Sequence, residues 1–247
     1  MKSALRLAAA AACLAGSLFT GGAEANVVIT GTRVIYPASQ REVSIRLSNE
    51  GNEPALVQAW VDSGTPDASP EESTAPFILT PPLSRIAAGK GQTLRLVYLN
   101  EPLPTDRESV FYLNMLDIPP NARPNDDRNL LQVAFRTRIK IFFRPDDLPG
   151  RPEDAPAQLK WTLVRDASGN DAVACRNDSA YHVSFNEVSV VVDGRSTGLG
   201  GGMVSPGGTA RFAVKGGASL AGGPLTVRYW AVNDYGAAKE YRQPLTR

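Results

Sequence analysis

Leu130–Phe143 reads L-L-Q-V-A-F-R-T-R-I-K-I-F-F, and it is the stretch on which the reading of the chain turns. Taken in steps of two, Leu131, Val133, Phe135, Thr137, Ile139, Ile141 and Phe143 form one set, and Gln132, Ala134, Arg136, Arg138 and Lys140 form the other. Alternate side chains of a strand point to opposite faces, so the stretch has one apolar face and one polar, cationic face. The apolar set is mostly β-branched or aromatic, and no Gly or Pro interrupts it, which favours strand over helix. Fourteen residues at about 3.3 Å each would span roughly 46 Å, about twice a typical strand. A single sandwich does not cover an apolar face of that length, so a long strand implies a partner from outside. Two shorter strands with a bend near Thr137 satisfy the same pattern.

The rest of the chain fits an all-β class. Its 247 residues allow one large or two ordinary domains, and 43% hydrophobic content supplies real cores. The 22 Gly and 19 Pro punctuate many short alternating runs. With 26 Lys+Arg against 25 Asp+Glu, there is no basic excess of the kind that accompanies nucleic acid.

Residues 1–25 read as a cleaved secretory signal. Lys2 and Arg6 precede an Ala/Leu-rich run from Leu7 to about Phe19, and Ala23-Glu24-Ala25 fits a small-x-small cleavage site. The run is short and poor in large apolar residues for a membrane span. A lipid anchor through Cys13 would want a Leu at the third position before it, and none is there. Cys175 is then the one thiol left in an exported chain, which excludes an internal disulfide. A small buried role on a strand suits it better than reactivity.

From Asn26 to Pro37 the chain reads as a strand broken by Gly31, a residue that marks a bulge or a switch between sheets. Arg33 stands among apolar neighbours, either as a solvated edge arginine or as a cation held in a cleft for an anion. Val43–Leu47, Ala55–Val61, Phe77–Leu79, Leu94–Tyr98 and Val110–Ile118 supply further strands, with Pro81-Pro82 and Pro119-Pro120 as stops. About seven strands at sandwich spacing predict an immunoglobulin-like domain over 26–147. The stretch 148–157, with Pro149, Pro152 and Pro156, reads as a linker. A second strand-rich block over 158–247 follows, with strands around Trp161, Ala172–Cys175, Val183–Val192, Ala210–Val214 and Leu225–Val232. Gly200-Gly201-Gly202 lacks the Lys-Ser/Thr and the helix of a phosphate loop and reads as a flexible loop. No helix longer than a turn is expected.

Nothing in the sequence points to an enzyme. His182, the one histidine, lacks the company of a metal site, and no Gly-x-Ser-x-Gly elbow occurs. Glu71-Glu72 and Asp126-Asp127 sit in polar loops and read as solvated charge. A second class to weigh is a structural or adhesive subunit, a building block and not a binding factor. Such a subunit is usually one incomplete domain, often with a cysteine pair, whereas this chain carries two strand sets.

Four local patterns coincide in order: Gly31-Thr32-Arg33-Val34-Ile35-Tyr36-Pro37; Asp106 to Asn114 with Ile118-Pro119-Pro120; Ile139-Lys140-Ile141-Phe142-Phe143-Arg144-Pro145; and Asn233-Asp234-Tyr235-Gly236. Together they resemble the periplasmic chaperones of the chaperone–usher pilus pathway, the PapD-like family, over the whole mature chain. The resemblance implies two immunoglobulin-like sandwiches set at an angle with a cleft between them, no cofactor and no metal. It implies that Arg33 and Lys140 clamp the C-terminal carboxylate of a pilin subunit. It implies that Leu131, Val133 and Phe135 fill the groove of an incomplete pilin sandwich by strand addition. Glu108, Arg144 and Asp234 correspond to the family's internal charge network, although each also reads as an ordinary surface charge, and Asp234 as a turn residue. The implied partners are pilin subunits and an outer-membrane usher, with self-association of the free chaperone through its edge strand. The short loop Asn121–Arg128 resembles the family's short-loop branch, which hints at rod-type pili.

Overall fold

The computed structural model describes residues 27–119, 133–214, 220 and 223–246. The signal segment, the loop Asn121–Arg128 and Leu130, Leu131 and Gln132 lie outside the described residues. The N-terminal half holds β1 (Val27–Ile29), β2 (Arg33–Pro37), β3 (Val43–Asn49), β4 (Ala55–Asp62), β5 (Phe77–Thr80), β6 (Leu83–Ile86), β7 (Gly91–Tyr98), β8 (Ser109–Ile118) and β9 (Phe135–Arg144). They form two sheets, ordered β1-β3-β7-β5 and β2-β9-β8-β4-β6. The inward residues of both sheets, among them Ile45, Leu47, Val57, Leu94, Leu96, Leu113, Met115 and Ile141, make one core. Each such side chain contributes about 1.5–3 kcal/mol of burial. Tyr36 closes one end of this core. Its ring packs against Phe77, Tyr98 and Phe143, and its hydroxyl donates to the Arg41 carbonyl and accepts from the Tyr98 N–H.

Gly31 is where the chain changes sheets. Its φ of 98° lies in the left-handed region open to glycine, and it separates β1, paired with β3, from β2, paired with β9. The prolines at 81 and 82 act similarly. They end β5, and the chain resumes in the other sheet as β6, a strand that the pattern of apolar residues does not reveal.

β9 is a single unbroken strand of ten residues, not fourteen, and Thr137 makes no bend in it. Val133 and Ala134 precede it as non-strand chain. The reason lies in its neighbour. Asp117 stands opposite Phe135, so continuing the antiparallel register would set Val133 against Pro119, which has no N–H to give the ladder.

The C-terminal half holds β10 (Lys160–Arg165), β11 (Asp171–Arg176), β12 (Val183–Val192), β13 (Arg195–Val204), β14 (Thr209–Ala213), β15 (Thr226–Val232) and β16 (Ala238–Pro244). Its sheets run β10-β11-β14 and β13-β12-β15-β16. Trp161, Phe185, Phe212 and Tyr229 pack ring against ring at its centre. Cys175 is fully buried there, and burial pushes its thiol up to about 12, which makes it inert. The Pro-rich connection docks on this half: Leu148 and Ala155 pack on its core, and the Tyr181 hydroxyl donates to the Gly150 carbonyl at 3.1 Å.

The run Gly200–Gly202 is strand, not loop. It belongs to β13 and pairs with β12, which bulges between Phe185 and Val188. A Cβ on Gly201 would stand 2.8 Å from the Asn186 carbonyl oxygen and 2.9 Å from that of Phe185. The glycines let two backbones meet where side chains would hold them apart.

Candidate functional site

β2 and β9 run parallel, and their register sets Arg33 beside Lys140. Alternation then divides β9. Ile139, Ile141 and Phe143 turn into the N-terminal core, while Arg138, Lys140, Phe142 and Arg144 turn toward the opposite face. Phe142 is buried between the domains, with its ring 5.5 Å from that of His182 and the Arg33 guanidinium 5.7 Å above it.

Arg33 reaches across to the second domain, where Nη1 donates to the Val232 carbonyl at 3.0 Å. Its Nε is buried and has no hydrogen-bond partner among the described residues. Burial lowers the pKa of its guanidinium, against the attraction of Asp234 and Glu108. Lys140 has no ion pair and no side-chain hydrogen bond among the described residues. Burial lowers its pKa first, and the neighbouring charges of Arg33 and Arg138 lower it further. Two partly desolvated cations therefore stand side by side, and neither makes an ion pair among the described residues.

Arg144 is the opposite case. Its Nε donates to Glu108 at 2.7 Å, and Nη1 and Nη2 donate to the two carboxylate oxygens of Asp234 at 2.7 and 3.0 Å. Burial works against its charge, but the bonds and charges of Asp234 and Glu108 outweigh it and hold its pKa above the ordinary value. Glu108 and Arg144 belong to the first domain and Asp234 to the second, so this bridge ties the two together. Glu108 has a further hold that the sequence did not reveal: its Oε2 accepts the backbone N–H of His182 at 2.7 Å and lies 3.3 Å from Nδ1. The His182 side chain is 4% exposed and that of Glu108 2%. The one available signal was a lone histidine between two residues of strand character, Tyr181 and Val183.

Between the domains lies a cavity of about 240 Å³. Arg33, Phe142, Arg144, His182, Asp234 and Tyr241 are among its lining residues. Glu108, Glu153 and Asp234 also line it, and Lys140 lies outside it, beside Arg33 on the neighbouring strand; the adjacent ends of Arg33 and Lys140 can hold an anion.

The other half of β9 offers a backbone edge. β2 begins at Arg33, opposite Lys140, so Phe135–Ile139 pair with β8 on one side and with no strand on the other among the described residues. Phe135 is partly buried, and Val133, just before the strand, is 48% exposed. Leu131 lies outside the described residues.

A two-domain immunoglobulin-like protein with an interdomain cleft, adjacent cations on two parallel strands and a strand edge without a partner among the described residues is the architecture of a pilus-assembly chaperone. Family models for that class match both halves: the pili and flagellar-assembly chaperone PapD N-terminal domain over residues 26–149, and the pili assembly chaperone PapD C-terminal domain over 154–243. The chain belongs to the PapD-like family of chaperone–usher pilus-assembly chaperones, a non-enzymatic class. It is 41% identical over 242 residues to the chaperone protein FimB/FhaD of Bordetella pertussis, covering 96% of this chain and 95% of that one. It is 42% identical over 225 residues to the probable fimbrial chaperone YadV of Escherichia coli, covering 90% and 91%. The crystal structure of the YadV chaperone superposes with a TM-score of 0.77 at 40% identity, covering 89% of this chain and 100% of that one. A structure of the Salmonella enterica SafA pilin in complex with the SafB chaperone matches with a TM-score of 0.71 at 27% identity, covering 91% and 99%.

Proposed function

We propose that this chaperone captures pilin subunits in the periplasm, completes their sandwich with the edge of β9, holds their C-terminal carboxylate between Arg33 and Lys140, and hands them to an outer-membrane usher. The observation that carries the reading is the pair of adjacent, partly buried cations, neither in an ion pair among the described residues, next to a strand edge with no partner among them. A chain terminus is a fixed anion, and charge-assisted bonds in a partly dry cleft are stronger than exposed ones. The open edge supplies main-chain pairing, and Leu131, Val133 and Phe135 supply apolar contacts of about 1.5–3 kcal/mol each before entropic costs. An edge of this kind also favours self-pairing of the free chaperone. Glu108, Arg144 and Asp234 fix the two domains so that both halves of the site face the same subunit. The relation to a chaperone solved with its pilin supports the choice of partner.

The test is co-expression with the fimbrial subunit and recovery of the complex from periplasm. Lys140→Ala and Arg33→Ala abolish subunit accumulation while the far-UV circular dichroism of the chaperone is unchanged. Normal subunit levels in both variants would remove the clamp.

A further inference from the structure

The register of the five-stranded sheet sets Asp62, Tyr112, Lys140 and Arg33 side by side across β4, β8, β9 and β2. Arg138 belongs to the same face, one pleat repeat from Lys140, about 6.6 Å along β9. Its guanidinium lies 3.7 Å from the centre of the Tyr112 ring. Nη2 donates to Asp62 Oδ1 at 2.6 Å and Nε to Oδ2 at 3.2 Å. Asp62 is itself fixed. Its side chain is 1% exposed, and it accepts from Asn114 Nδ2 and from the Gly64 N–H, each at 2.6 Å. Burial raises the pKa of this carboxyl, but the bonds from Arg138, Asn114 and Gly64 outweigh it and keep it ionised. Arg136 is held in its turn, over the Trp60 ring and against Asn114 Oδ1. Of the four cations on this face of β9, Arg136, Arg138 and Arg144 are occupied, and Lys140 has no ion pair or side-chain hydrogen bond among the described residues.

We propose that Asp62 is a positioning residue for the anion site: it holds Arg138 over Tyr112 and cancels its charge, so that an anion there meets Arg33 and Lys140 alone and a dianion gains less over a carboxylate than it would beside a third free cation. The proposal rests on the reading of Arg33 and Lys140 as the anion clamp and adds what limits its selectivity. A planar guanidinium on a flexible arm binds phosphate in a bidentate fashion, so an unrestrained Arg138 beside Lys140 would turn the site into a trap for inorganic anions. Its place one pleat repeat from Lys140 on the same face of β9 puts it within reach. In a periplasm open to external phosphate, that trap would compete with the subunit terminus.

The free chaperone is titrated with acetate and with inorganic phosphate at constant ionic strength, at a pH where phosphate is a dianion, and the side-chain ammonium resonance of Lys140 is followed. Asp62→Asn raises the preference for phosphate over acetate by roughly three- to tenfold, because a dianion feels the released charge twice. Arg138→Gln leaves Asp62 unmatched beside the site and lowers the preference. The double variant returns it to near the wild-type ratio. A change in stability alone moves none of these ratios. If Asp62→Asn does not fold, Arg138→Lys carries the test: it keeps a cation for the buried Asp62 but loses the bidentate fork, and is expected to raise the phosphate preference in the same direction. An unchanged ratio in the folded variants overturns the proposal. Failure of the clamp is read separately, as subunit capture that survives Lys140→Ala.

Discussion

Lys140 and Arg144 stand on the same face of β9 and meet opposite fates. Arg144 is neutralised by two carboxylates, whereas Lys140 is left among cations. A charge held in that state costs the free protein stability, as binding sites commonly do. Its native pKa lies below its ordinary 10.5, so the folded form binds fewer protons than the unfolded form between those two values. Stability therefore rises as pH climbs from the lowered native value toward 10.5 and is diminished below it. Lys140→Met is expected to raise the urea midpoint at neutral pH by the equivalent of about 0.5–1 kcal/mol and to remove the alkaline rise. Denaturation curves at neutral pH and at pH near 10 check both. A midpoint that falls in the variant would mean that Lys140 has a partner in the free protein.

At the scale of the element, β9 does two things with one strand because its neighbours end at different places. β2 covers Lys140–Arg144 and leaves Phe135–Ile139 with no strand on that border among the described residues. Val133 sits just outside the strand with half its surface in water. Val133→Asp is expected to leave the thermal midpoint nearly unchanged, within about 0.5 kcal/mol of stability, while reducing subunit capture in pull-down at least tenfold. The alternation of Leu130–Phe143 made this division legible, and the parity that sets Lys140 against Phe135 follows from it. The strand's true beginning was not legible, because it depends on Pro119 in the partner strand, a fact of register and not of local pattern. β16, A-K-E-Y-R-Q-P, escaped notice because an edge strand exposed on most positions has no apolar alternation to show. β13 escaped because glycine has no side chain to alternate. Its pairing with β12 depends on Gly201, where a methyl group would meet two backbone carbonyls that no side-chain rotation can relieve. Gly201→Ala is expected to cost about 1–3 kcal/mol in chemical denaturation, a loss confined to the C-terminal domain and visible as faster amide exchange along β12 and β13.

The whole molecule is joined by a small set of contacts at the mouth of the cleft, most of them polar. Glu108 reaches the 180–182 segment, Arg33 reaches Val232, and Arg144 reaches Asp234. Beside them the turn after β15 approaches the turn before β2: a Cβ on Gly236 would stand 2.6 Å from Thr32 Oγ1. Gly236 also has a φ of 85°, where an alanine is strained by roughly 1–2 kcal/mol. Gly236→Ala therefore meets two penalties, one within the turn and one between the domains. The second is relieved either by rotation of the Thr32 hydroxyl or by the domains moving apart, and the latter separates Arg33 from Val232 and lengthens the bridge from Arg144 to Asp234. Small-angle scattering is expected to show a more open and more variable pair of domains, and subunit capture is expected to fall although Arg33 and Lys140 are intact. Adding Thr32→Gly removes the steric contact but not the strain of the turn. That double variant is expected to recover the interdomain geometry and most of the capture, while the denaturation midpoint stays low. Equal defects in the single and double variants would show that the turn's own conformation, and not its contact with Thr32, sets how the domains meet.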